Sequence, residues 1–499
     1  MSGTAEVSGV SLHDDRPGAR PVPKGAWAVL FTVLGATMMD MLDATAMGVA
    51  APAIKLGLGA SESQFQWINI GYVLSFSVLL LAGGRLGDII GRRRTFLIGL
   101  TGFAVMSGLC AAAQNPAELI AARLVQGAAA AMMIPQCVSM IRESFGQEHS
   151  PKAFAIFSPF ISLASALGPV LGGLLITYAS WRWVFLINLP ACAIAFFFAV
   201  RVLPKHQDDG IRPKFDVLGM ILCSAAVGLL VYPVVQGREH HWAWWTFAMM
   251  LSSVAVLAVF ALHARARRAR ALDSFIDTGL FRKRAFTGGT LTVFLFFGAC
   301  SGAFIVSPLL LQLYAGWSPL RVGLTGSWWS LGTMLAMGVG PVLARRMPPR
   351  RVLQAGVLTQ AAGMVLAALT VAVYAKDTTH PGPDGPLIDT ALTSFNLAPA
   401  LIVSGIGTGL FFVPFLALVL ASVDDRELGL ANGAINSLQQ LGGAVATAVF
   451  STVIFNQVAQ GGSPHAASTL AYGLCAGLLV VTWAASFTLG KSTQSPQNG

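Results

Sequence analysis

Runs of about 20 apolar residues, each long enough to cross the hydrocarbon core of a bilayer as a helix, recur along this 499-residue chain with short polar segments between them. In lipid, backbone N–H and C=O groups find no water, so a crossing segment must satisfy them internally, as a helix does. Fourteen such spans are predicted: 25–51, 65–86, 95–113, 117–142, 152–177, 183–203, 216–236, 242–263, 286–314, 320–343, 351–375, 396–421, 431–457 and 469–490. Charged residues make up 11% of the chain, against about 25% in a soluble domain, so there is too little charge to cover so large an apolar content with water. The expected fold class is an all-α polytopic membrane protein.

The net charge of +10 invites a nucleic-acid partner, and its distribution excludes one. Basic residues come in short clusters between apolar runs, such as Arg92, Arg93 and Arg94, or Arg265, Arg267, Arg268 and Arg270. That is the pattern of membrane loops facing the cytoplasm. With the N-terminus inside, the external side keeps only Lys55, Arg182, Arg238, Arg321 and Lys376, and Arg123 is left within a span. All other Lys and Arg fall inside. The alternation requires an even number of spans and places both termini in the cytoplasm. Trp67, Trp181, Trp183, Trp242 and Trp317 fall at external helix ends, as an aromatic belt does. Segments 1–24 and 491–499 are polar and expected to be disordered. The six cysteines lie inside apolar runs without metal-like spacing and read as packing residues.

Two similar halves are legible. Gly83-Gly84-Arg85-Leu86-Gly87-Asp88 precedes Arg93-Arg94, and Gly340-Pro341-Val342-Leu343-Ala344-Arg345 precedes Arg350-Arg351, at one constant offset. The predicted organisation is a six-helix bundle over 25–203, a linker with two extra spans over 204–285, and a second six-helix bundle over 286–490. The soluble segments near 264–285 and 376–395 are too short for a domain. No phosphate-binding loop and no H-E-x-x-H occurs, which argues against an ATP-driven pump or a metalloenzyme.

Several segments carry chemistry. Gly84 to Arg94 reads G-R-L-G-D-I-I-G-R-R-R, where Gly84 and Gly91 allow tight turns and close helix approach and Asp88 can pair with the arginines or with a helix N-terminus. Span 1 carries Leu42-Asp43-Ala44-Thr45-Ala46-Met47-Gly48-Val49-Ala50-Ala51-Pro52, and span 4 carries Arg123-Leu124-Val125-Gln126-Gly127. An intramembrane charge such as Arg123 is costly and usually paired or functional. In span 5, Ala164, Gly168 and Gly172 make a small-residue face beside Pro169 and Gly173. Asp40 and Asp43, three apart on one helix face, are the acids well inside a span. Neighbouring buried carboxyls can take up and release a proton. They can equally serve as interhelical hydrogen-bond formers.

On these segments, and on Trp181-Arg182-Trp183-Val184-Phe185-Leu186-Ile187-Asn188-Leu189-Pro190, the chain resembles the fourteen-span drug:H+ antiporters of the major facilitator superfamily. The resemblance covers most of the first half. It departs at Gly48, where that branch usually has Asn, and at Ala164, where it has Gly. It implies a cytoplasmic loop latch of Gly84, Asp88, Gly91, Arg92 and Arg93, and an exporter motif of Gly168, Pro169, Gly172 and Gly173. It also implies proton coupling through Arg123. With the acids, the expected proton sites are Asp43 as principal carrier and Asp40 as a secondary proton or cation site. The implied function is proton-driven export of a lipophilic drug or antibiotic, cations included, across the cell membrane, with no cofactor. An importer on the same scaffold and an exporter narrowed to one natural product are the alternatives. Candidates for the substrate pathway are Met39, Met47, Gln126, Phe297, Asn432, Asn436 and Gln440, of which the methionines and Phe297 can equally be packing residues and the α-helical Asn/Gln stripe can equally bind helices together.

Overall fold

The computed structural model describes residues 25–203, 216–237, 239–270, 283–382, 385–420 and 428–489. The predicted disordered ends 1–24 and 491–499 lie outside them, as do most of the linker residues that flank the two extra spans. Fourteen α-helices are described: α1 Ala26–Leu58, α2 Glu62–Ile90, α3 Arg92–Ala112, α4 Pro116–Tyr178, the short α5 Arg182–Leu186, α6 Asn188–Val202, α7 Val217–Gln236, α8 Trp244–Ala269, α9 Arg284–Pro308, α10 Pro319–Arg346, α11 Pro349–Tyr374, α12 Ser394–Leu420, α13 Leu428–Ala459 and α14 Pro464–Ala485. A π-helical turn, Leu309–Tyr314, prolongs α9.

Among the described residues, twelve helices are long and apolar enough to cross a membrane. Helix α4 contains the fourth and fifth predicted spans. Gly146, at φ 66° and ψ 177°, interrupts it and divides it into two arms, a backbone state for which glycine is suited. The first arm is one of the twelve; the second includes the shorter apolar stretch Leu163–Tyr178. The tenth predicted span is present as helix α10 but is not one of the twelve. Polar caps mark the helix starts: Ser61 and Gln64 form a capping box on α2, Asn115 caps α4 and Ser318 caps α10.

One element departs from an all-helical reading. Segments Ala375–Gly382 (β1) and Gly385–Thr390 (β2) pair as an antiparallel ribbon between α11 and α12. The sequence there, Pro381-Gly382-Pro383-Asp384-Gly385, is dense in turn-forming residues.

The helix starts reproduce the repeat. Glu62 to Pro319 and Arg92 to Pro349 are both 257 residues apart. The ribbon then lengthens the second half, so that Pro116 corresponds to Ser394, 278 residues on. Equivalent arginines do equivalent work. The Arg93 guanidinium donates to the carbonyl of Val200 near the end of α6, and that of Arg350 donates to Phe487 O, at 2.8 Å, just beyond α14.

Helices α1, α2 and α3 pack on α4, and α6 on α1 and α3, in one bundle, and α9 to α14 form the other. The bundles meet where the second arm of α4 lies on α10 and where α2 lies on α13. The pair α7 and α8 packs along the α2–α13 seam, through Val231 and Val235 against Ile70, Leu74, Ala444 and Ala448. The interior is shared unequally. First-bundle residues near Gly59, such as Ala50, Ile54, Phe65 and Phe185, join one apolar cluster with the second bundle. Those nearer Gly91, such as Val33, Phe96, Met140 and Ile141, form a cluster that, among the described residues, has no second-bundle member. Gln66 donates to Thr452 Oγ1 at 3.1 Å, Gln312 donates to Val49 O at 3.0 Å, and Lys55 lies 4.8 Å from the Phe455 ring centre. These contacts join the bundles at the Gly59 end.

Candidate functional site

A buried polar cluster occupies the middle of the first bundle. Arg123 of α4, 1% exposed, donates from Nη1 to Asp43 Oδ2 at 2.6 Å and to Gln126 Oε1 at 2.8 Å. Its guanidinium lies 4.4 Å from the centre of the Tyr72 ring, a cation–π contact that needs no hydrogen-bond acceptor. Asn188 donates from Nδ2 to Asp43 Oδ1 at 2.8 Å and to Ser107 Oγ at 2.9 Å. The Tyr72 hydroxyl donates to Asp40. The expected proton sites Asp43, Asp40 and Arg123, with Gln126, are thus brought into one network, both acids being 2–3% exposed. The cluster holds two carboxyls and one guanidinium, which pairs with Asp43, and Arg123 Nε has no hydrogen-bond partner. A buried ion pair needs further hydrogen bonds to its free atoms; Asn188 supplies one to Asp43 and Gln126 one to Arg123.

Three members were not named as site residues from sequence: Tyr72, Ser107 and Asn188. Asn188 stood within the Trp181–Pro190 segment, and a polar side chain inside an apolar span was the available signal. For Tyr72 and Ser107 no pattern distinguished them from packing residues.

The latch residues lie at the Gly91 end. Arg92 pairs with Glu143 at 2.6 Å and with Asp88 at 3.6 Å. Gly91 adopts φ 96° and forms the turn between α2 and α3. The tight approach expected of Gly84 belongs to its neighbours instead. A Cβ on Gly84 would meet only Pro135, at 3.7 Å, whereas one on Gly83 would lie 1.9 Å from Ala131 O and one on Gly87 2.0 Å from Gln136 Oε1. Gly83 and Gly87, one helical turn apart, form the face that α2 turns to α4.

The span-5 motif has two working faces. A Cβ on Gly168 would lie 1.8 Å from Thr45 Oγ1, and one on Gly172 would lie 2.9 Å from Ala46 Cβ, so this face receives α1. One position on, a Cβ at Gly173 would lie 2.6 Å from Pro319 O, and Pro169 O sits against Gly323 of α10. The Gly-Pro-x-x-Gly-Gly spacing therefore lets one helix lie close to two neighbours at once.

A cleft lies beside this junction. Its walls are Thr45, Gly48 and Val49 of α1, Pro169 of α4, and residues of α9, α10, α11, α12 and α14, including Phe304 and Trp329. The predicted pathway residues with described side chains do not line this cleft. Met39 is buried against Cys192, Met47 is in the shared core, and Gln126 is taken up by Arg123. Phe297 packs edge-on to Phe296 and Phe412, and Asn436 and Gln440 are half-buried on α13 without lining the cleft. The side chain of Asn432 lies outside the described residues. Flexible or polar side chains inside a span mark an interior position but do not say which interior surface is left open.

Two membrane-spanning bundles of like design, one holding a buried ion pair and the other most of an apolar cleft, are the architecture of a polytopic transporter. The chain belongs to the Major Facilitator Superfamily, which matches residues 33–447. It is 39% identical over 455 residues to the "Probable actinorhodin transporter" of Streptomyces coelicolor, covering 89% of this chain and 76% of that one. It is 32% identical to "Puromycin resistance protein pur8" of Streptomyces alboniger, over 87% of this chain and 82% of that one. It is 30% identical to the "Tetracenomycin C resistance and export protein" of Streptomyces glaucescens, over 91% and 80%. Its fold is that of a solved POT family transporter, with a TM-score of 0.68 at 14% identity over 93% of this chain and 95% of that one.

Proposed function

We propose that this protein exports lipophilic drugs or antibiotics from the cytoplasm across the cell membrane in exchange for protons, as a monomer of fourteen spans with both termini cytoplasmic. The relatives named for antibiotic resistance and export support the substrate class and direction. The carrying observation is that Asp43, paired with Arg123, sits two residues from Thr45 in the cleft wall, so α1 belongs to both sites. Proton binding at Asp43 and pairing with Arg123 exclude one another. Since Arg123 neutralises one of two buried acids, charge balance favours one proton in the cluster. Proton and substrate then bias opposite conformations through the helix they share. With the Gly91 end cytoplasmic, bundles joined at the Gly59 end describe an inward-facing state, driven by the proton gradient without a cofactor.

The test is expression in a pump-deficient bacterium, following accumulation of a panel of lipophilic antibiotics and dyes with and without a protonophore. Lower accumulation of at least one compound is expected, abolished by the protonophore and by Asp43→Asn at unchanged expression. Proton-driven efflux that survives Asp43→Asn would remove the coupling assignment, and raised accumulation would make the protein an importer.

A further inference from the structure

The acids of the first bundle are turned away from the cleft. Asp40 and Asp43 are 3% and 2% exposed and face Tyr72 of α2, Arg123 of α4 and Asn188 of α6. Among the described residues the cleft walls carry no charged side chain. Their polar groups are neutral, the amide of Gln360 and the hydroxyls of Thr45, Ser307 and Tyr472 among them. An organic ion entering such a site gives up its hydration without meeting a counter-charge. The apolar wall includes Phe304 and Trp329, edge to face with ring centres 4.7 Å apart, a surface suited to flat aromatic rings.

Two wall positions have spare capacity. Gln360 is fully buried, and its Oε1 accepts from Thr408 at 2.8 Å. Its Nε2 has the Cys300 sulfur at 3.7 Å, a weak acceptor, and can still donate to a ligand oxygen. At Gly48 an added Cβ would meet nothing within 4 Å, so this position opens into the cleft and leaves space there.

We propose that this cleft binds an uncharged, multi-ring aromatic molecule bearing carbonyl or hydroxyl oxygens, with Gln360 donating to one of those oxygens and Gly48 making room for the rings. The physiological meaning rests on the export reading, but the site is tested by binding alone. Purified full-length protein in detergent is titrated, by quenching of tryptophan fluorescence, with 2-(hydroxymethyl)anthraquinone and with its matched cation, (anthraquinon-2-ylmethyl)trimethylammonium. The neutral probe binds at least about tenfold more tightly than the cation, and Gln360→Leu weakens it by about tenfold, the loss of one buried hydrogen bond. Gly48→Asn, which a side chain can enter without clash, also weakens the neutral probe while leaving the unfolding temperature unchanged. Equal or tighter binding of the cation, binding of neither probe, or a neutral affinity untouched by both substitutions overturns the proposal. Proton-driven export of the cation, abolished by Asp43→Asn, would overturn the neutral cleft and leave the export reading standing. Selective neutral binding without proton-driven efflux of any compound would do the reverse.

Discussion

Replacing Asp43 by Asn and Arg123 by Gln, singly and together, measures what holds the first bundle's centre. The two side chains are 0% and 1% exposed and meet at 2.6 Å. Removing one partner of a buried pair leaves an uncompensated charge, at a cost of about 3–5 kcal/mol. Asp43→Asn keeps the side-chain volume and an oxygen that can accept from Asn188 or Arg123, so it falls at the lower end, about 3 kcal/mol. Arg123→Gln strips Asp43 of its cation and Gln126 of a donor, and costs at least as much. The double variant contains two amides and no orphaned charge from this pair, so its cost is less than the sum of the singles by about 3 kcal/mol. Hydrogen bonds between membrane helices average only about 0.6 kcal/mol, because the unfolded chain in lipid also finds partners. The ion pair should exceed that figure several-fold. The assay is denaturant unfolding in mixed micelles followed by tryptophan fluorescence for all four proteins. Additivity to within about 0.5 kcal/mol would refute the reasoning, by showing that Arg123 is satisfied without Asp43.

The remaining predictions concern other contacts. Gly172→Val drives a branched side chain into Ala46 of α1, and Gly173→Val drives one into Pro319 of α10. Each should lower the detergent unfolding temperature, and Gly173→Val, which acts between the bundles, should also change cross-linking of engineered cysteines across the α4–α10 contact. Gly91→Ala places a side chain at φ 96°, at a cost of about 1–2 kcal/mol, read as a lower unfolding temperature with the spans intact by circular dichroism. Burial alone would raise the Glu239 carboxyl, but hydrogen bonds from Ser63 and Ser61 outweigh it and hold it below the usual range. Its folded-state pKa being lowered, the contact between the α7–α8 turn and the start of α2 is complete above the ordinary carboxyl pKa of about 4.3 and is lost as pH falls through the lowered value. Hydrogen exchange at the start of α2 should therefore rise in acid, and Glu239→Gln should abolish that dependence.

The spans, the repeat and the ion-pair partners were legible because each imposes a strong one-dimensional signal. About 20 apolar residues, a fixed offset between Gly-rich loops, and an Arg or Asp inside an apolar run leave few alternatives in lipid. The second arm of α4 and helix α10 were legible as spans too, although some of their Gly and Pro positions serve contacts with neighbours rather than apolarity. The cleft was not legible. Whether Met47 or Gly48 faces open space depends on how two bundles are set against each other, and no local pattern carries that information. Met47 is buried in the shared core while its neighbour Gly48 borders the cleft. Likewise Gly84 belongs to the loop signature, yet the face that touches α4 is that of Gly83 and Gly87.

The geometry of α1 lets the proposed proton and substrate sites coexist without touching. At about 100° per residue, Asp40 and Asp43 share one side of the helix, Thr45 and Val49 lie on the nearly opposite side, and Gly48 lies on the flank between. The first set meets α2, α4 and α6; the second borders the cleft. On the proposed function, a substrate in the cleft does not displace the proton by contact, nor does it need a charge of its own to sense the carboxyls. What the two sites share is the position of α1, fixed by Gly168 and Gly172 on one flank and by the Gln312 bond to Val49 O on another. Loss of the Asp43–Arg123 pair removes a tie between α1 and α4. A bulky ligand against Gly48 presses on the same helix from the cleft side. In the proposed exchange, competition between proton and substrate arises from two ligands moving one wall, and Gly168 and Gly172 supply the glycine surface that this wall rests on.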